Sequence, residues 1–191
     1  MKSVSGSILA GGKSTRMGVD KANLVLGTNT LLEIQIEKMR SLRIQDIMVS
    51  GSKGSFSNVR YIEDIIKGMG PLGGLHACFA AATCPNCFVL SVDTPLIPKE
   101  TLDSLLQMHL GASCEATLLV HDGRVEPLIG VYRTDIRDKI TDLICGSDRS
   151  MRALLKQINY QTMPYRGDIA LLMNCNTPKD YEELTHLWET Q

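Results

Sequence analysis

Over its first 110 residues the chain alternates short apolar runs with longer amphipathic ones, and no other feature constrains its fold as tightly. Ser7-Ile8-Leu9-Ala10 reads as the end of a buried strand, stopped by Gly11-Gly12. From Thr30 to Leu42, the apolar Leu31, Leu32, Ile34, Ile36, Met39 and Leu42 are interleaved with Glu33, Glu37, Lys38 and Arg40, which is helical spacing. Asp46 to Ser50 and Val59 to Ile62 are expected as strands. Gly68 to Gly74 is a turn opening a helix through Ala82, and Cys87 to Val92 is a buried strand that ends at Asp93-Thr94-Pro95. Pro98 suits the first position of a helix running to about Leu110. This βαβα pattern calls for an α/β fold: a three-layer, mostly parallel, Rossmann-like sheet covered on both faces. In such sheets ligands gather at the carboxyl ends of the strands.

The second half is more mixed. Residues 116–120 and 127–132 bracket His121-Asp122-Gly123-Arg124 and read as a β-hairpin with a long turn. Helices are expected near 135–145 and 149–158, the second capped from Ser147-Asp148. Residues 158–164 and 171–174 look extended, and Thr177-Pro178 starts a last helix with Tyr181, Leu184, Leu187 and Trp188 on one face.

Three places at strand ends carry chemistry. The first is Leu9-Ala10-Gly11-Gly12-Lys13-Ser14-Thr15-Arg16-Met17-Gly18-Val19-Asp20-Lys21. Adjacent glycines let backbone N–H groups turn toward an anion or a flat base, and Lys13, Arg16 and Lys21 follow as local cations. Arg16 can fork onto phosphate oxygens, while Lys21 offers a compact charge. Gly12-Lys13-Ser14 mimics a P-loop, but that pattern needs glycine at position 7, which is serine. The second place is Asp93, a carboxylate just past a buried strand, where Mg²⁺ is commonly held against phosphates. Asp64, at the end of another strand, is the third. Gly70-Pro71-Leu72-Gly73-Gly74 adds a helix start with free N–H groups.

Other features exclude functions. Lys plus Arg is 20 against 21 for Asp plus Glu, a formal charge of −1, which argues against a nucleic-acid binder relying on a basic field. Aromatics at 5 % leave little for base stacking. No apolar window approaches the roughly 20 residues of a membrane helix, no secretory signal fits the start, and six cysteines read as reduced thiols, so the cytoplasm is the expected compartment. Cys84-Pro85-Asn86-Cys87 lacks a second pair and is not read as a metal site. His76, Cys78, His109 and His186 are read as bystanders.

The first loop, together with Gly70-Pro71-Leu72-x-Gly74 and Asp93-Thr94-Pro95, resembles the molybdenum cofactor guanylyltransferase family, the MobA-like nucleotidyltransferases. Val120-His121-Asp122-Gly123, Glu126-Pro127-Leu128, Tyr132-Arg133, Asp148-Arg149-Ser150-Met151 and Asn174-x-Asn176-Thr177-Pro178 continue the likeness in order, over nearly the whole chain. The resemblance implies a fold of the nucleotide-diphospho-sugar transferase type. It also implies transfer of GMP from GTP to the phosphate of Mo-molybdopterin, with Mg²⁺ as cofactor. Leu9, Ala10, Gly11 and Gly12 would line the nucleotide site, Lys21 would touch the phosphates, Asp64 the nucleotide, and Asp93 the metal. Arg16, Lys21 and Asp93 would be catalytic. Where the family commonly has Asn after the second strand, this chain has Ser50-Gly51-Ser52, and Ser50 keeps a hydrogen-bond donor there. Arg133, Arg149 and Asn176 are pterin-side candidates. The expected organisation is one domain over 1–191, with 1–110 binding nucleotide and 111–191 serving the acceptor. Expected contacts beyond the substrates are transient ones with molybdoenzymes or cofactor-delivery proteins. Alternatives are a cytidylyltransferase, a sugar-phosphate nucleotidyltransferase, or a nucleotide-binding protein without catalysis.

Overall fold

In the computed structural model, which describes residues 3–11, 20–66 and 68–190, the first strand, β1 (Val4–Leu9), lies inside the sheet, and every residue of it after the first is buried. Its neighbours are β4 (Ile47–Ser50) on one side and β6 (Asn86–Ser91) on the other, both parallel to it. Outside β4 lies β5 (Val59–Ile62), also parallel. Beyond β6 the sheet continues with β8 (Arg124–Arg133), β7 (Ala116–His121) and β9 (Tyr160–Pro164). Only β8 runs antiparallel to its neighbours, so the sheet is mostly parallel, as expected. A separate two-residue ribbon pairs β2 (Val25–Leu26) with β3 (Asn29–Thr30), an element with no strong sequence signal.

Side-chain alternation along the buried strands sends apolar residues to both faces, and each face receives helices. On one face Ile8, Val49, Phe88 and Leu90 pack with α1 (Leu31–Ser41), α3 (Lys99–Leu110) and α6 (Pro178–Glu189). On the other, Leu9, Met48, Val89 and Leu118 pack with α2 (Pro71–Ala81), α4 (Arg137–Cys145) and α5 (Met151–Gln157). The three layers match the sequence expectation.

Local chemistry explains most of the element ends. Thr30 and Glu33 form a reciprocal capping box on α1, and Thr177 with Asp180 does the same on α6. Four details depart from expectation. The 121–124 connection is a tight two-residue turn, with Asp122 at φ 47° and Gly123 at φ 73°, because a primed turn follows the natural twist of the strands. Pro98 is the N-cap of α3 and not its first residue, since its extended ψ of 142° lies outside the helix. Ser150, not Ser147-Asp148, caps α5, and Asp148 instead accepts from the Ser150 N–H at 3.2 Å. Residues 169–172 form a 3₁₀ turn capped by Asp168, so Leu171 and Leu172, expected to be extended, are not.

At the amino edge of the sheet, Asp46 ties four segments together. It accepts from Ser5 Oγ at 2.6 Å, from Thr83 N at 3.0 Å and Oγ1 at 2.8 Å, and from Arg60 Nε at 3.0 Å. Burial alone would raise its pKa. The bonds from Ser5, Thr83 and Arg60 outweigh burial and bring it down from 3.8 to about 2. A carboxylate whose folded pKa is depressed contributes stability in full above its ordinary value and loses it as the pH falls through the folded one. Asp46→Asn should therefore cost about 1–2 kcal/mol at neutral pH, by urea unfolding. The gap to the parent protein should close as the pH is lowered from about 4 toward 2.

Candidate active site

The carboxyl edge of the sheet is where the chain changes direction. After β1 the chain crosses to β4 and β5, while after β6 it moves the other way to β8, β7 and β9. The crevice between β1 and β6 is thus a topological switch point. Two hydrogen bonds prolong the pairing past the strand ends on either side of β1. Ala10 N donates to Ser50 O at 2.8 Å, and Val92 N donates to Leu9 O at 3.0 Å.

On the β4 side the chain closes to backbone contact. Gly51 adopts φ 83°, and a Cβ there would lie 2.1 Å from Gly11 Cα. Only glycine supplies both the left-handed conformation and the missing side-chain volume. Ser50, 3 % exposed, donates from Oγ to Asp64 Oδ1 at 2.8 Å. The start of α2 closes over this pair: a Cβ on Gly74 would stand 2.9 Å from Ser50 Oγ and 3.0 Å from Leu9 Cδ2, and one on Gly73 3.3 Å from Asp64 Oδ2. Gly73 and Gly74 are therefore the fit of a helix start against a strand end. Leu9, Ala10, Gly11, Ser50 and Asp64 are brought together here.

On the β6 side stand Lys21 and Asp93. Asp20 caps the 3₁₀ turn Lys21–Asn23 by accepting from Ala22 N at 3.0 Å, which sets the backbone that carries Lys21. Lys21 Nζ donates to Asn176 Oδ1 at 2.6 Å and lies 3.8 Å from Asp93 Oδ2. The side chains of Lys21 and Asp93 keep 17 % and 23 % of their surface exposed, so the pair is lined by protein yet open to a ligand. Cys175 N donates to Asp93 O at 2.8 Å, which anchors the segment before α6 to the same loop. Helix α6 itself is anchored where Tyr181 Oη donates to Val25 O on the β2–β3 ribbon. Gly12 and Arg16 lie outside the described residues.

Of the three pterin-side candidates, Asn176 joins the site through Lys21. Arg149 sits in the turn between α4 and α5, with Nε donating to Gly146 O at 3.3 Å. Arg133 does not belong there. It ends β8 opposite Asn86, the first residue of β6, which puts it at the amino edge of the sheet, paired with Asp135. The antiparallel direction of β8, invisible in the sequence, reverses which end of that strand faces the site. The same reversal brings in Glu126. Glu126 lies three residues before Ile129, which pairs with Leu90 of β6, and it is near enough to Asp93 for the two carboxylates to act on each other. Burial pushes the Glu126 carboxyl above its ordinary range and Asp93 adds to it, against the pull of Arg124 and His121.

Two further residues were missed. Gln35 and Lys38, on the inner side of α1, reach the loop that carries Asp93. Gln35 Nε2 donates to Ser91 O at 2.8 Å and Thr94 O at 3.0 Å, and Lys38 Nζ donates to Pro95 O and to Ile97 O at 2.7 Å. The signal was available, because Gln35 and Lys38 share a face with Leu31 and Leu42 in an otherwise apolar stripe. His109 bonds Thr117 Oγ1 and Asn86 Oδ1, His76 meets Thr141, and no group of three or more metal-ligating side chains forms among the described residues.

Comparison with known proteins bears on this arrangement. A family model described as the MobA-like NTP transferase domain matches residues 6–162. A probable molybdenum cofactor guanylyltransferase from Carboxydothermus hydrogenoformans is 31 % identical, covering 98 % of each chain. Another from Mycobacterium avium is 37 % identical, covering 95 % of this chain and 94 % of that one. Among solved structures, the molybdopterin-guanine dinucleotide biosynthesis protein A of Archaeoglobus fulgidus superposes with a TM-score of 0.83 at 24 % identity. It covers 98 % of this chain and 100 % of its own.

The Gly11–Gly51 contact sets a measurable expectation. Gly51→Ala should cost more than about 3 kcal/mol in urea unfolding, because a backbone atom has to move as well as the residue's own φ. Gly123→Ala is the control. Gly123 has a similar φ, but an added Cβ meets nothing within 4 Å among the described residues, so the cost should stay near about 1 kcal/mol.

Proposed function

The chain belongs to the MobA-like NTP transferase domain family, whose model spans residues 6–162, and we propose from that premise that it is a molybdenum cofactor guanylyltransferase. It transfers GMP from GTP to the phosphate of Mo-molybdopterin, releasing pyrophosphate and forming the guanine dinucleotide cofactor. Relatives bearing that activity's name align over nearly their full length. The observation that carries the reading is the meeting of Lys21, Asp93 and Asn176 at the switch point of the sheet.

In this reaction an oxygen of the acceptor phosphate bonds to the α-phosphorus of GTP while the bond from that phosphorus to the bridging oxygen breaks. The electron pair leaves with pyrophosphate, and no covalent enzyme intermediate is needed. The obstacle is repulsion between two anions, so the protein's task is positioning and charge compensation. Lys21 is suited to the phosphates. Its ammonium is held by Asn176, and its 3.8 Å separation from Asp93 leaves it free to turn to a stronger anion. Arg16, from the same loop, is assigned to the phosphates as a second cation. Leu9, Ala10, Gly11 and Gly12 are assigned to the nucleotide, with the Gly11–Gly51 contact giving a flat, side-chain-free surface. Asp64, oriented by Ser50, is assigned to the base or ribose.

Members of such families work with a divalent metal, and Asp93 suits Mg²⁺. It is a single partly exposed carboxylate, and the described residues bring no cluster of three ligating side chains with it. That matches an ion that keeps several waters and takes its remaining oxygens from substrate phosphates. When bound, Mg²⁺ supplies charge neutralisation at the phosphates.

Residues 1–110 are assigned to the nucleotide and 111–191 to the acceptor, with Asn176 bridging to Lys21. Handing the product on calls for transient contact with molybdoenzymes or cofactor-delivery proteins. No helix of the described residues is long and apolar enough to cross a membrane. All six cysteines are unpaired, which fits the cytoplasm as the compartment of action.

Pyrophosphate release with Mo-molybdopterin and a panel of nucleotides tests the reading. GTP should be preferred, and a preference for CTP or for a sugar-phosphate acceptor would overturn it. Asp93→Ala should lower turnover by about 10² or more. Near-normal turnover in that variant would remove Asp93 from the machinery.

A further inference from the structure

Asp93 sits in a segment that no secondary structure holds. Between the end of β6 at Ser91 and the start of α3 at Lys99 the chain makes a turn and an irregular stretch. Pro95 and Pro98 have no N–H to give, so the segment is poorly equipped to satisfy its own carbonyls. Four of those carbonyls, from Ser91, Thr94, Pro95 and Ile97, accept from two side chains of α1, and Ser91 O takes a further bond from Thr94 Oγ1 at 3.4 Å. Gln35 takes the first two and Lys38 the last two.

Both side chains are costly choices. Gln35 is fully buried, and its Oε1 has no hydrogen-bond partner among the described residues, so only the Nε2 end is used. Leaving a buried amide oxygen unsatisfied is destabilising, and an apolar residue would fill the stripe of α1 without that penalty. Lys38 carries an ammonium into a protected position where its partners are carbonyls and not a carboxylate. Burial lowers its pKa from 10.5 to about 7. The two residues lie one helical turn apart, so a single rigid helix grips the loop on both sides of Asp93.

We propose that Gln35 and Lys38 are positioning residues for the transfer reaction, clamping the Ser91–Ile97 segment to α1 so that the Asp93 carboxylate is presented to the metal–nucleotide complex. They touch neither substrate nor metal and act through Asp93, so the inference rests on the reading of Asp93 given above. Helix α1 is itself pinned by its capping box and by packing on the β1–β4 half of the sheet. The clamp thus adds a hold from a rigid helix to the Val92–Leu9 and Cys175–Asp93 backbone bonds and to the burial of Val92, Leu96 and Ile97. Residues that orient a ligating group commonly change metal affinity or activity by about 10–100-fold when removed.

The test compares Gln35→Met and Lys38→Met, which keep an unbranched apolar stem but remove the donors, with Lys38→Arg, which retains donors for both carbonyls. Each variant is measured below its own unfolding transition. One readout is Mn²⁺ binding in the presence of GTP, followed by the electron paramagnetic resonance of free Mn²⁺. The other is kcat and KM for GTP with Mg²⁺. The expected result is Mn²⁺ binding weakened by about tenfold and kcat lowered by about 10–100-fold in both Met variants. The KM for GTP should stay within about threefold, and Lys38→Arg, which keeps donors for the carbonyls, should lose less Mn²⁺ binding and less kcat than Lys38→Met. Folded Met variants that bind Mn²⁺ normally and turn over normally, or that lose only thermal stability, would overturn the proposal. The two readings fail separately. Normal turnover in Asp93→Ala defeats the assignment of Asp93, whereas a crippled Asp93→Ala beside a fully active Gln35→Met defeats only the clamp.

Discussion

The parallel pairing of β1 with β4 on one side and β6 on the other is the constraint on which the remaining structure depends. Both pairings run one step past the strands, through Ala10 N to Ser50 O and Val92 N to Leu9 O. Those two bonds fix the ends of three chains at one edge, where the backbone stops being satisfied by the sheet and turns outward. Everything assigned to the nucleotide hangs from these three ends. Gly11 and Gly51 touch because their strands are locked in register, and Asp93 emerges where it does because Val92 is still bonded to Leu9.

Electrostatics at that edge is local and economical. A chain with a formal charge of −1 cannot draw anions by its overall field. It concentrates a few groups where the sheet directs them. Lys21 is held by an uncharged acceptor, Asn176, and stands at the edge of ion-pair distance from Asp93. A close ion pair would spend the cation on the protein, whereas this arrangement leaves it for phosphate. Support for Asp93 comes through the backbone around it: the Cys175 N–H takes up its carbonyl, and the Gln35 and Lys38 side chains hold the neighbouring carbonyls.

Much of this was legible in the sequence, for identifiable reasons. Leu9, Ala10, Asp64 and Asp93 lie at or just past the ends of apolar runs, and a rule about strand ends in parallel sheets finds them without knowing strand order. Helix α1 was legible from its period. The failures come from contacts between segments distant in the sequence. Arg133 was taken for a residue of the acceptor side, but β8 runs antiparallel and delivers it to the opposite edge. Glu126 arrives near Asp93 by the same reversal. Gln35 and Lys38 were passed over because a polar residue on an apolar stripe declares its partner only once the 91–97 loop lies against it.

The sequence by itself determined the elements, the α/β class and most of the strand-end residues, because periodicity, capping and glycine placement act over a few neighbours along the chain. Only the tertiary structure decided strand order, the direction of β8, and the arrival of Asn176 beside Lys21 across 155 residues. Those outcomes follow from burying both faces of one sheet at once. That is a property of the whole chain, and no short stretch of it records the result.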